Sequence, residues 1–92
     1  MKKKLICFTI NSYSQAKEII VESKKNSIFP IIHIKYHIAN GFGIEWIEAL
    51  NKILIDSFSN KSFKILVDCN NNYSLATQLI VGRIHYLKLK AD

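Results

Sequence analysis

Short apolar runs alternate with longer amphipathic segments along the whole chain, and this alternation constrains the fold more than any other feature. The short runs predict four strands, at Leu5–Ile10, Ile31–Tyr36, Phe63–Val67 and Ile84–Leu89. The order βαβαβαβ is typical of a parallel sheet joined by right-handed crossovers. We therefore predict a small α/β fold with a four-stranded parallel sheet, formed by residues 1–92 as a single domain.

Three helices are predicted between the strands. Ser12 is expected to cap the first, with Gln15 three residues on as its capping-box partner. The second helix is expected at Ile44–Phe58, where apolar residues recur every three or four positions. Asn71 or Asn72 can cap the third, which ends near a glycine at position 82. The segment 37–43, "HIANGFG", is predicted to be a loop.

The polarity of the strands predicts their order. "LICFTI" and "FKILV" are almost continuously apolar, as central parallel strands are, whereas the second and fourth strands are mixed. This favours the order 2-1-3-4, with helices on both faces of the sheet. A half-barrel-like order of 1-2-3-4 is the alternative, although it places the polar second strand in the middle.

The predicted topology leaves part of one sheet face without a helix. Uncovered apolar sheet is a candidate interface, so we expect a homodimer or a protein partner. Cys7 and Cys69 have no CxxC spacing, and we expect reduced, mostly buried thiols in a cytoplasmic protein.

Charge and hydropathy argue against two other kinds of partner. The net charge is +6, but twelve of the thirteen cations are Lys and they are scattered. Base readout and bidentate phosphate contacts favour Arg, so we do not expect nucleic-acid binding. No stretch approaches the roughly 18 apolar residues of a membrane span, so no membrane association is expected.

Polar residues cluster where strands one and three are predicted to end side by side. Ligands bind beyond the carboxyl ends of strands where the strand order reverses. The candidate ligand-binding residues are Ser12, His37, Gly41, Gly43, Asp68, Cys69, Asn70 and Asn71. Asp68 is either a base, metal ligand or phosphate acceptor, or a residue whose carboxylate accepts hydrogen bonds from the following turn. We predict neither a metal site nor a cofactor.

Two segments together resemble a known family. "NGFGIEWIEAL" (Asn40 to Leu50) and "VDCNNNYSLATQLIVG" (Val67 to Gly82) are similar to a family of small alphaproteobacterial proteins without a known activity. Its members carry a Gly-rich loop before a Trp- or Phe-containing helix, and later Asp-Cys-Gly, a short turn and an alanine-rich helix that ends in Gly. Positions Asp68, Cys69, Leu75, Ala76 and Gly82 fit, while Asn70 and Ser74 stand where the family has Gly. The resemblance implies an α/β fold and a relation to fragments of βα-barrels.

These observations predict a non-catalytic module for self-association or partner binding. The alternative is a small-molecule-binding or catalytic domain with its site at the carboxyl ends of strands one and three. The sequence does not decide whether the chain is an enzyme.

Overall fold

A computed structural model describes residues 3–59, 61–82 and 84–89 of the chain. Strands and helices follow in the order β1 (Lys4–Ile10), α1 (Tyr13–Lys25), β2 (Ile28–Ile34), α2 (Tyr36–Phe42), α3 (Ile44–Phe58), β3 (Lys64–Asn70), α4 (Tyr73–Val81) and β4 (Tyr86–Leu89). The predicted α/β fold with four parallel strands is confirmed. No helix in the described residues is long and apolar enough to cross a membrane.

The strands lie in the order β1-β2-β3-β4, and each pairs with the next in parallel. The half-barrel-like alternative is therefore confirmed, and the preferred order 2-1-3-4 is wrong. The continuous apolar run of β1 does not mark a central strand. Its residues Leu5 and Cys7 are exposed, although their apolar character imitates that of a strand covered on both faces.

Helices pack on one face of the sheet. In β2 and β3 every second residue is buried, and these residues form one core with α1, α2, α3 and α4. Right-handed crossovers that always move to the next strand place every helix on the same side. The prediction of helices on both faces is wrong for this reason, since it followed from the reversed strand order. We call this the covered face.

The predicted loop His37–Gly43 is mostly helix. Helix α2 begins at Tyr36 and ends at Phe42, and its Ala39 is fully buried in the core. The ring of Phe42 stacks on Trp46 of α3, with the ring centroids 5.1 Å apart. Tertiary packing thus outweighs the low helix propensity of the Asn and Gly residues in this segment.

Strand β2 begins three residues earlier than predicted and includes Pro30. A proline inside a strand lacks the amide hydrogen that the ladder needs. Pairing between β2 and β3 starts only at Ile31, so Pro30 precedes the ladder on that side. The side chain of Pro30 is buried on the covered face and adds to the core.

Candidate functional site

The second face of the sheet carries no helix in the part of the chain that the structure describes. We call it the open face. Strand register places the following side chains on it: Leu5, Cys7, Thr9, Phe29, Ile31, His33, Lys64, Leu66, Asp68, Tyr86 and Lys88. None of these is buried. An exposed sheet face that carries a row of apolar groups is a candidate interaction surface.

Apolar side chains occupy the centre and the amino end of the open face. Leu5 is 66% exposed and Tyr86 is 47% exposed. Phe29, Ile31 and Leu66 are half-buried, because neighbouring strands shield their flanks but no helix of the described residues lies above them. An apolar centre within a polar surround is the usual anatomy of a protein–protein interface.

Polar side chains concentrate toward the carboxyl end of the same face. Thr9 and His33 are register partners, and Thr9 Oγ1 lies 2.9 Å from His33 Nδ1. Burial lowers the pKa of His33, the carboxylate of Asp68 opposes that shift, and the ammonium groups of Lys88 and Lys35 add to it. A neutral His33 ring is therefore favoured, and it satisfies Thr9 across the strands.

Asp68 has a local structural task. Its Oδ1 accepts a hydrogen bond from the backbone amide of Asn70 at 2.9 Å, and its register partner across β3 and β4 is Lys88. The carboxylate thereby supports an irregularity between residues 68 and 70, where the β3–β4 register shifts. This geometry matches the turn interpretation of Asp68.

Asn70 lies in the left-handed region, with φ of 52°. Asn is tolerated there more readily than most residues, and Gly adopts it at no steric cost. Asn70 is therefore explained by the turn without any ligand.

The other candidates from β3 and its turn point in different directions. Cys69 is fully buried in the core on the covered face. Burial raises the pKa of its thiol, and Asp68 adds to the shift, so the thiolate that a nucleophile requires is disfavoured. Asn71 is exposed in the turn, and Asn72 caps α4 by accepting a hydrogen bond from the amide of Leu75 at 3.0 Å. The expected burial of both cysteines holds only for Cys69, since Cys7 is exposed.

The candidates from the first two strand ends serve helix termini. Ser12 caps α1, with its Oγ accepting from the amide of Gln15 at 3.3 Å, as predicted. His37 is exposed on α2, and Gly41 lies within that helix. Gly43 separates α2 from α3 with φ of 85°, a conformation that favours glycine.

The predicted crevice between strands one and three has no counterpart in the fold. β2 lies between β1 and β3, so Ser12, which follows β1, and Asp68, which lies in β3, belong to strands that are not neighbours. The order 1-2-3-4 contains no reversal at which a crevice would open. The structure thus separates the predicted set, and Asp68 alone among its members has its side chain on the open face together with His33 and Lys88.

Sequence reasoning missed the open-face residues, although the signal for them was present. The alternation in β2, where Ile32 and Ile34 are buried and Ile31 and His33 are not, marks a strand with one covered face. The prediction that β2 is an edge strand rests on the same alternation. The two interpretations differ in whether the neighbouring strands alternate as well. Followed to Asn70, the sequence of β3 does alternate, with polar Lys64 and Asp68 on the open face and only Leu66 as an exception.

Within residues 3–59, 61–82 and 84–89, no three His, Cys, Asp or Glu side chains are grouped in a way that could hold a metal ion. The fold and the open face define a class: a two-layer parallel α/β domain with a half-barrel-like strand order and helices on one face. No family model, curated protein or solved structure matches the chain.

Proposed function

We propose that this domain is a non-catalytic self-association module, and that its open face binds a second copy of the chain. One observation carries the proposal: a parallel sheet that is helix-covered on one side exposes apolar side chains on the other. Parallel sheets occur almost only with both faces covered. A second copy of the same chain can cover this face without any additional helix.

The chemistry of the open face favours a protein surface over other partners. Its centre consists of Phe29, Ile31 and Leu66, with one cation of the described residues, Lys64, beside Ile31. Asp68 and Lys88 lie at the carboxyl end. A nucleic-acid interface would instead place cations across the centre, with polar contacts to phosphates.

The size of the chain gives self-association an energetic reason. A domain of 92 residues buries a smaller share of its surface than a larger one, and association is one way to compensate. Each square ångström of apolar surface removed from water contributes about 25 cal/mol. A reducing compartment such as the cytoplasm fits this proposal, because an exposed Cys7 on the interface stays a thiol there.

The proposal is tested by charging the centre of the open face. Ile31 faces Lys64 across β2 and β3, so Glu in Ile31→Glu can pair with that lysine and leave the monomer folded. The matched control is Ile53→Glu, at a residue 47% exposed on α3, on the opposite layer of the molecule. Sedimentation should show a dimer for the wild type and for Ile53→Glu, and a monomer for Ile31→Glu. A wild type that stays monomeric up to about 100 μM would refute the proposal. Its dissociation constant would then be higher than the micromolar value of a modest interface.

A further inference from the structure

The outer edge of β1 presents unpaired backbone groups. The amide of Lys4 donates to the carbonyl of Ser27 at 3.2 Å, which directs it toward β2. Amide direction alternates along a strand, so the amides of Leu5, Cys7 and Thr9 point away from the sheet. No strand of the described residues pairs with them. An open edge of this kind is a template for pairing with another chain.

The helix beside β1 has an apolar groove on the same flank. The groove has a volume of about 370 Å³, and Phe8, Ile19 and Ile28 form its apolar wall. The opposite side of α1 is directed toward α3, where the Lys24 ammonium lies 5.6 Å from the centroid of the Phe58 ring. The groove therefore lies on the flank of α1 where a further helix would pack.

The opposite flank of the molecule, beside β4, carries exposed apolar side chains. Tyr73 is 57% exposed and Ile80 is 64% exposed. They are seven residues apart on α4, which places them on one side of the helix. Ser74 and Gln78, on the other side, line a cavity together with Ile44 of α3. Tyr73 and Ile80 hence lie on the flank that faces away from α3.

We infer that two copies close into one eight-stranded parallel barrel, with β4 of each copy beside β1 of its partner. The inference rests on the proposed self-association and specifies its geometry. A two-fold axis along the barrel makes both junctions equivalent, so the assembly is closed and stops at two copies. The outer edges pair, the groove beside α1 and the Tyr73 and Ile80 flank of α4 face each other across each junction, and the open face becomes the barrel interior.

The area available separates this arrangement from a simple stack of two open faces. Four strands about 4.8 Å apart, each up to about seven residues long, give the open face a flat extent of about 400 Å². Standard interfaces bury about 800 Å² of accessible surface per partner, a quantity that exceeds the flat extent of the same patch because side chains project from it. A stack uses the face alone and leaves both edges and Ile80 in water, whereas the barrel adds the edges and the two helix flanks.

The charged residues of the open face are compatible with a barrel interior. Lys88 lies near the end of β4, so its side chain is close to an opening of the barrel. Lys64 begins β3 level with Ile31, the fourth residue of β2, so in a barrel its long stem must carry the ammonium group toward the amino-end opening. Long ammonium side chains reach water from such positions while their stems cover apolar surface. Asp68 lies beside Lys88 and offsets part of its charge.

Residue-resolved hydrogen exchange tests the geometry. In a barrel dimer the amides of Leu5, Cys7 and Thr9 are hydrogen-bonded to the partner, and we expect their exchange to slow at least about tenfold between dilute and concentrated samples. A dimer whose three amides exchange as fast as in the monomer would overturn the barrel and leave the proposed function intact. A monomer at all concentrations would overturn both.

A pair of variants tests the helix flanks independently. Ile80→Lys places a charge on the flank of α4, and we expect the dimer dissociation constant to rise at least about tenfold. Ile53→Lys, the same substitution at an exposed Ile of α3, should leave it unchanged. Equal effects of the two substitutions, or none from Ile80→Lys, would contradict the barrel, since a stack of open faces contacts neither residue.

Discussion

The covered and open faces of the sheet are built from the same strands, yet helices of the same chain cover only one of them. On the covered face, Ile65 and Val67 are fully buried beneath helices of the same chain. On the open face, their sequence neighbour Leu66 is only half-buried, and Tyr86 beside it is 47% exposed. The comparison shows that folding of one copy accounts for the covered face alone. The apolar residues of the open face require another explanation, and the proposed self-association offers one.

The largest expected effect is a difference in stability between alanine substitutions at two adjacent residues of β3. Ile65→Ala removes a fully buried side chain and should lower the free energy of unfolding by about 2–5 kcal/mol at any protein concentration. Leu66→Ala should cost about 1 kcal/mol in dilute samples, and more in concentrated samples where the dimer is lost. Denaturant titrations at two concentrations measure both. Equal losses in dilute samples would mean that Leu66 is buried within a single copy.

A smaller loss of stability is expected from substitutions of Asp68. They show whether its hydrogen bond to the amide of Asn70 or its negative charge stabilises the fold. Asp68→Ala removes the acceptor for the amide of Asn70 and should cost about 1 kcal/mol. Asp68→Asn keeps an oxygen in that position and should cost less than half as much. Thermal unfolding of the two variants gives the comparison. A loss from Asp68→Asn as large as that from Asp68→Ala would show that the charge, next to Lys88, is what matters.

The smallest expected effect is a dependence of stability on pH. His85 Nδ1 accepts a hydrogen bond from the amide of Ile65 at 3.0 Å, and protonation removes that acceptor. Burial, and secondarily the ammonium group of Lys64, lower the pKa of His85 below its value in the unfolded chain. A lowered folded-state pKa means that the unfolded chain binds more protons. The contribution of neutral His85 to the free energy of unfolding is therefore complete above about pH 6.5. It is lost as the pH falls through the pKa of His85 in the folded state.

Denaturation at about pH 7.5 and about pH 5.5 measures this dependence. His85→Asn, whose Oδ1 can replace Nδ1, should reduce the difference between the two conditions. His37→Asn, at an exposed residue of α2, serves as the control and should leave it unchanged. Part of the difference should remain in His85→Asn, because burial also lowers the pKa of His33. A wild type with equal stability at both pH values would contradict the prediction.

Much of the fold was predictable because local signals agree with it. Ser12 with Gln15 marks the start of α1, and the spacing of apolar residues marks α3 from Ile44 to Phe58. Helix α2 was not predictable, since Gly41 and Gly43 favour a loop and only packing of Ala39 against the sheet overrides them. Local sequence carries no information on that packing.

The strand order and the site were harder to predict from the sequence than the helices and strands themselves. Both failed for the same reason. Apolar residues such as Leu5 and Ile31 look alike whether their own chain or a second copy covers them. Polarity therefore misplaced β1 in the centre of the sheet, and with it the crevice where Asp68 was expected to meet Ser12. The turn role of Asp68 and the burial of Cys69 became visible only from the geometry.

The most direct test uses the two thiols that the wild-type chain already has. Cys7 is exposed on the open face and Cys69 is buried in the core, so the second is an internal control for folding. Alkylation of Cys7 under reducing conditions should be fast in dilute samples and slow in concentrated ones, while Cys69 stays unreactive in both. If sedimentation shows a dimer but Cys7 reacts equally fast at every concentration, the copies meet through another surface. That result would contradict the claim that the open face is the interface.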